Sequence, residues 1–547
     1  MTKISQFAYK GTDLVQHGHL RDKLLDNPPQ LLAVDIETIS LKDRSVIGIG
    51  FGLSPIEALY VPVHSPEFLS AVLVLCDPDI TKVYHNVMFD LPILLRLCPE
   101  IDCENILDTM LMCNMEGLPQ ELATISSHFG RNIKRIRDIL PARATMDMLE
   151  DDIVADKCLD DCMATMLLYK KLWPEVNQAY FKKEMMLVPI LMAMSQRGIK
   201  IDQERRQVIE EKLIQETEFY RSIAEAEGFN PASPQQVAYI LMQRGNHIPI
   251  KYRNGKHSAG TNEEILKKLD DLMAALVLNY RHANKLLSTY VLPYVDRDRA
   301  YTRFHLNAAT GRISSTERNM QNIPPGAGTD DAPGIRTMFL PDSGTWTDVD
   351  FNQQELRALA YISQDPEMLR IYELGLDLHQ ETADFIGVSR RICKNVNFAM
   401  IYGASDGTIA ETAGITNLKI AHELGIRWGM KFTKAWQWIK QIQNEGIANG
   451  YVKTTQGRRL WLPSEYEESE ADRRRKAVNY PIQGSAAELT KDALLACART
   501  GYDLVLQVHD EIVVDGYIPT EELKALGLEE LAPFYCPISV KHLERWE

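Results

Sequence analysis

The stretch LVLQVHDEIVV, residues 504–514, wraps strand-forming apolar residues around a polar triplet. Leu504, Val505, Leu506, Val508, Ile512, Val513 and Val514 read as β-strand pairing material, and His509, Asp510 and Glu511 interrupt them. A buried carboxylate with no partner costs several kcal/mol or shifts its pKa strongly, so such a strand needs compensation. Taken alone, a solvated hairpin tip is the bland reading of the triplet.

Composition narrows the class. A chain of 547 residues predicts roughly three to four domains with several buried cores. Hydrophobic content of 45% and charged content of 25% are those of a soluble globular protein. No N-terminal segment has the layout of a signal peptide, and no apolar run approaches the roughly 20 residues of a membrane span, so a cytoplasmic protein without membrane contact is expected. Nine cysteines with no C-x-x-C pair predict reduced thiols and argue against a disulfide framework or a structural zinc site. The net charge of −15 speaks against wholesale coating of nucleic acid. Local basic patches nonetheless exist in RRRK (473–476), GRR (457–459) and RRICK (390–394).

Residues 1–175 mix short β-rich runs such as LLAVDIETI and VIGIGFGL with apolar helical segments, which predicts an α/β domain. LWPEVNQ (172–178) reads as a boundary because its Pro stops the preceding helix. From about 183 to 295 the pattern is helical and charge-rich. Ser233 predicts a helix start with Pro234 in the first position and Gln236 closing a capping box. Strands and helices alternate in the remainder.

In TWTDVDFNQQELRALAYIS (345–363) a strand feeds a helix, and Asp350 sits at the strand's carboxyl end; helix N-cap is the competing role for it. Strand-borne Asp350 and Asp510 could meet on adjacent strands as a divalent-metal site, whose hard oxygen ligands select Mg²⁺ or Mn²⁺ over Zn²⁺. In RRICKNVNFAMIYG (390–403), Arg390, Lys394, Phe398 and Tyr402 recur every four residues and share a helix face. That face rises roughly 18 Å, about the reach of a nucleoside triphosphate, with its cations toward the N-terminus, where the helix dipole favours anions. The competing reading is an amphipathic helix packing Phe398 and Ile401 into a core.

With GRISSTERNMQNIP (311–324) ahead of them and RKAVNYPIQGSAAELTKDAL (475–494) between the last two, these segments resemble family A DNA polymerases over nearly all of 184–547. The resemblance implies a right hand: palm start and helical thumb over 183–300, palm and fingers over 301–547, the fingers at approximately 364–475. It makes Asp350 and Asp510 the palm metal ligands, Glu511 an accessory acid, and 390–403 the helix that closes over the incoming nucleotide. Arg390 and Lys394 would neutralise the triphosphate, and His379 in DLHQETA would contact phosphate. Phe398 would pack on base and sugar, and Tyr402 with Glu355 would exclude a 2′-hydroxyl. Arg336, Arg475, Asn479, Gln483 and His509 match template-primer contacts; Arg312 and Asn322 match the primer-gripping segment. Also implied are two Mg²⁺ per active site, replaceable by Mn²⁺, with primer-template DNA and dNTPs as partners of a monomer.

AVDIETI places Asp35 and Glu37 on one side of a strand, YHNVMFDLPIL adds Asn86 and Asp90, and CLDDCMATMLLY adds Asp160 and Asp161. These segments resemble the DEDD-type 3′–5′ exonuclease that commonly precedes a family A palm. That implies a ribonuclease H-like domain over 1–175 whose Asp35, Glu37, Asp90 and Asp161 hold two metals, within an α/β and α+β multidomain chain. Departures exist. Phe351 and Asn352 stand where Tyr and Ser are usual, and Gln354 replaces an aliphatic residue, which predicts altered packing near the nucleotide with metal binding kept. Lys157 stands where a Tyr normally positions the attacking water, and Asp156 does not match the related His-bearing class. Lys157 has three readings: a degraded water-positioning site, a contact to the scissile phosphate, or a solvated surface lysine. The exonuclease motif begins near residue 33, so no upstream 5′ nuclease domain is expected, which by analogy favours a phage-type replicative enzyme. The rivals are a single-subunit RNA polymerase, opposed by Glu355 and the exonuclease segments, and a nucleic-acid-binding scaffold with dead sites, opposed by two complete carboxylate sets.

Overall fold

The computed structural model describes residues 7–10, 13–16, 24, 28–253, 256–326, 328, 334–403, 405–415 and 417–547; residues 1–6 of the domain expected over 1–175 lie outside them. The apolar run Leu31–Thr38 becomes the middle of a mixed sheet, antiparallel to Val46–Ser54 and parallel to Thr81–Tyr84. The strands run in the order 13–16, 7–10, 57–62, 46–54, 31–38, 81–84 and 106–108. Helix Asp151–Leu172 lies directly on this sheet. A Cβ at Gly50 would fall 2.6 Å from the Cys158 and Cys162 sulfurs, so glycine there lets the helix carrying Asp161 reach the strand carrying Asp35. The helix ends at Leu172, just ahead of Pro174, as the boundary motif predicts.

Helix Gln178–Arg197, capped by the Asn177 side chain, opens the second part and carries Glu184 into its interior. Glu184 accepts from Lys491 Nζ at 2.7 and 2.6 Å and lies 3.4 Å from Arg458 Nη1. All three side chains are at most 1% exposed. Against the upward push of burial, Lys491 and then Arg458 hold the Glu184 carboxyl below its usual value. The same Arg458 donates through Nη2 to Asn114 Oδ1 at 2.7 Å, Arg459 pairs with Glu116 at 2.8 Å, and Trp461 Nε1 donates to the Met115 carbonyl at 3.0 Å. These contacts dock the N-terminal sheet domain on the rest.

Helices Gln203–Ala226, Pro234–Gln243 and Leu272–Lys285 share a small core around Ala224, Phe229, Val237 and Val277. Ser233 caps the second of them and Pro234 opens it, as expected. The capping box does not close: Gln236 Oε1 accepts from the Asn230 N–H at 2.7 Å, because the loop folds back under the helix and offers that donor instead.

The opening stretch is a hairpin. Leu504–Val508 and Glu511–Asp515 pair with each other, Trp346–Phe351 lies beside the second, and Ile538–Leu543 completes a four-stranded antiparallel sheet. His509, in the left-handed region at φ 55°, and Asp510 form the turn. Asp510 is therefore turn-borne where a strand position was expected, since the chain must reverse between two apolar runs that are both buried. Trp346–Phe351 feeds helix Gln354–Ser363 through Asn352 and Gln353, and Gln353 takes the N-cap position at φ 54°, so Asp350 is not a cap. Helices Leu378–Ile386, Arg390–Ile401, Asp406–Ala413, Leu418–Lys431 and Thr433–Asn449 follow, and helix Glu470–Arg499 packs against the sheet. Among the described residues no helix is long and apolar enough to cross a membrane.

Candidate active sites and relatives

The pairing register sets Asp350 opposite Glu511, and the Phe351 N–H donates to the Asp510 carbonyl at 3.2 Å, so the strand end and the turn are locked together. The acids outnumber the cations that act on them, such as Arg336, 3.5 Å from Glu511, and Lys541. Burial, then Asp510 and Glu511, push the Asp350 carboxyl up to about 7, and burial raises Asp510. Glu511 is also raised by burial, and it accepts from Trp546 Nε1 at 3.0 Å. Asp348, two residues before Asp350 and on the same side of its strand, joins them unforeseen. It is 7% exposed, its Oδ1 has no hydrogen-bond partner, and burial followed by Glu511 and Asp350 pushes it up to about 7. The alternation in TDVDF was the signal for it. Crowded, proton-hungry oxygen donors with an orphaned oxygen fit divalent cations.

Beside Asp510 lies a cavity of about 270 Å³ lined by Arg312, Glu355, Phe398, Tyr402 and His509 among others. Tyr402 Oη donates to Glu355 Oε2 at 3.0 Å, and Arg312 pairs with the other Glu355 oxygen. Helix Arg390–Ile401 turns Phe398, half-buried, toward this cavity and places Ile401 in the core. Lys394 is exposed, and Arg390 pairs with Asp377 at 2.6 Å. His379 differs from the expectation of an open phosphate contact. It is 3% exposed, bonded through Nδ1 to Asn397 Nδ2 at 2.9 Å, and burial lowers its imidazole to about 4. Trp428 Nε1, donating to Asn397 Oδ1 at 2.8 Å, holds this arrangement in place.

Arg475, Asn479 and Gln483 follow one another at four-residue spacing on helix Glu470–Arg499, with Arg475 exposed and paired to Asp472. Asn322 and His509 are also exposed. Arg336 is not a free donor: it is buried, stacks over Trp546 at 4.2 Å, and lies 3.5 Å from Glu511. The three substituted positions are each packed or hydrogen-bonded. Phe351 is core, Asn352 Oδ1 accepts from Ser539 Oγ at 2.8 Å, and Gln354 Nε2 donates to Thr490 Oγ1 at 3.0 Å.

In the N-terminal domain, ligand atoms of Asp35, Glu37 and Cys158 lie within 4.8 Å of one another. Asp90, on helix Val87–Leu97, and Asp161 are buried nearby. Burial, then Asp161, push Asp35 up to about 7; burial first raises Glu37, Asp90 and Asp161 as well. Asp161 Oδ1 is buried without a partner, again the mark of a cation site. Asp160 turns away to Arg131 at 2.7 Å, and Asn86 serves as a left-handed helix start at φ 81°. Asp108, unmarked in the sequence reading, accepts from the N–H groups of Asn86 and Val87 at 3.0 Å and so fixes the Asp90 helix. Lys157 is not a solvated lysine: it is 11% exposed and ion-paired with Asp161, because the carboxylates draw its ammonium inward.

Known proteins share this organisation. DNA polymerase I of Pseudomonas aeruginosa is 30% identical across 89% of this chain and 59% of that protein. DNA polymerase I of Synechocystis sp. is 31% identical across 92% of this chain and 57% of that protein. The chain thus spans less than two thirds of the length of these relatives. The solved POL domain of Pol1 from M. smegmatis, in complex with DNA primer-template and dNTP, shares the fold at a TM-score of 0.75 and 22% identity, covering 92% of this chain and 93% of that one. A model of 3′–5′ exonuclease matches residues 19–177, and the model of DNA polymerase family A matches residues 200–529. The second match covers more than half of the chain, which belongs to DNA polymerase family A and carries a 3′–5′ exonuclease domain ahead of its polymerase domain.

Proposed function

We propose that this chain extends a DNA primer with dNTPs on a DNA template and removes mispaired ends with its 3′–5′ exonuclease. The observation that carries this reading is Asp350 at its strand end locked to the Asp510 turn by the Phe351 N–H, beside a cavity lined by the hydrogen-bonded Tyr402 and Glu355. Two Mg²⁺ per site, with Mn²⁺ as substitute, suit the oxygen donors. Asp350 and Asp510 would hold them, and there they would supply the charge that lowers the pKa of the primer 3′-hydroxyl and balances the triphosphate. Arg390 and Lys394 neutralise the triphosphate, Phe398 packs on base and sugar, and the Tyr402–Glu355 pair fills the space a 2′-hydroxyl needs. His379 supports Phe398 from beneath, their rings 6.0 Å apart. Arg312, Asn322, Arg475, Asn479, Gln483 and His509 grip primer and template, while Arg336 positions Glu511. The proposed division is 1–175 for the exonuclease, 183–300 for palm start and thumb, and 301–547 for palm and fingers. A cytoplasmic monomer and a phage-type replicative role are finer parts of the proposal; the matched relatives are bacterial and lend the phage reading no support.

Primer extension with dNTPs or NTPs and Mg²⁺ tests this. Extension with dNTPs supports it, preference for NTPs favours an RNA polymerase, and none with either leaves a binding scaffold. Two further outcomes are expected. Phe398 has no hydroxyl to replace the hydrogen bond a dideoxynucleotide lacks, so Phe398→Tyr should raise dideoxynucleotide use relative to dNTP by about tenfold or more, the worth of about one hydrogen bond near charge. An unchanged incorporation ratio would show that the helix is misassigned. Asp35→Ala should lower metal-dependent degradation of single-stranded DNA by about a thousandfold or more while extension continues, since the two carboxylate sets sit in separate domains. Loss of both activities together would refute their separation.

A further inference from the structure

Lys157 stands among carboxylates that the proposed exonuclease needs for metal, with no task in the chemistry above. It lies one helical turn before Asp161, and its ammonium rests on Asp161 Oδ2 with both side chains almost buried, at 11% and 12% exposure. Its charge also acts on Asp35 and Glu37 across the helix–sheet contact. The other Asp161 oxygen, Oδ1, is buried with nothing bonded to it. Asp161 thus offers one oxygen already met by a cation and one still open.

Sterics do not force the lysine inward. It borders a cavity of about 270 Å³ shared with Asp156, Asp160 and Lys134, and a lysine stem can cross such a space to put its head in water. The pull comes from Asp161, Glu37 and Asp35 under low-dielectric walls, and with Asp90 they would carry four negative charges once cations held them ionised. One ammonium and one divalent ion bring that set to a net charge of −1. A second divalent ion would have to share Asp161 with the ammonium and stand against its charge.

We infer that Lys157 is a built-in cation that takes one of the two cation places in this cluster, so that the site binds a single divalent ion on the side of Asp161 Oδ1. This rests on the exonuclease reading of the domain. Lys157 acts here as a positioning residue: it orients Asp161 and fills a charge position. An ammonium donates to water or phosphate oxygen and accepts no proton, so a site built this way hydrolyses slowly.

The test counts Mn²⁺ by the EPR signal of the free ion, using the full chain with Asp350→Asn and Asp510→Asn so that the palm contributes no tight sites. Ions of the exonuclease site are those lost on adding Asp35→Asn. The expected counts are one with Lys157 present, two with Lys157→Met and one with Lys157→Arg. The Met variant should also gain the larger rise in melting temperature on adding Mn²⁺. Lys157→Gln repeats the count should the Met variant not fold. Two ions with Lys157 present, or one ion in both neutral variants, overturns the inference and leaves the exonuclease reading standing. If Asp35→Asn removes no ion from any form and no form degrades single-stranded DNA, the exonuclease reading falls and this inference falls with it.

Discussion

Asp350→Ala and Asp510→Ala will each lower primer extension by about a thousandfold or more, roughly 4 kcal/mol of transition-state stabilisation, with primer-template affinity changed by less than about threefold. In the proposed function the lost group holds cations at the reacting phosphate and stays off the duplex. Single-turnover extension beside fluorescence anisotropy separates the two quantities. Loss of fold is checked independently. Burial and neighbouring acids push Asp350 up to about 7, so truncation relieves repulsion and the melting temperature should hold or rise. Near-normal extension by either variant would remove the palm assignment.

Glu184→Ala will destabilise the chain by about 3–5 kcal/mol, because it strands Lys491 and Arg458 as buried charges. Lys491→Met should lose less, since Glu184 keeps Arg458 and the methionine fills the vacated space. Urea denaturation of both variants measures this, and a Glu184→Ala protein as stable as wild type would contradict it. The pH dependence has a fixed sign. Glu184 sits below its ordinary pKa when folded, so its contribution is complete above that ordinary value, about 4.3, and fades as pH falls through the depressed one. On the acid side, the gap between wild type and variant should therefore close only on strong acidification.

Local pattern carried most of what the sequence disclosed. Strand Leu31–Thr38, helix Asp151–Leu172 with its stop before Pro174, and the strand-to-helix unit around Asp350 follow from hydrophobic period and turn chemistry, which a few residues suffice to express. What stayed hidden depends on distant partners. His379 looks open until Asn397, held by Trp428, closes over it from other helices. Arg336 reads as a surface donor until Trp546, 210 residues later, stacks on it. A Lys–Asp pair four residues apart looks the same on a solvated helix as on one pressed against a sheet; Gly50 and Gly52, by admitting that helix so closely, separate the two cases. Asp348 was legible and passed over, since strand alternation puts it beside Asp350.

Arg458 ties Asn114 of the first domain to Glu184 of the second through a single guanidinium, with Arg459 and Trp461 fastening the same seam. Swinging the domains apart would tear that seam and uncover the buried ion cluster behind it. If copying and editing share this chain as proposed, the traffic between them would belong to the DNA. A faulty end would then have to fray from its template to reach the second site, and how readily it frays would set how often it is corrected.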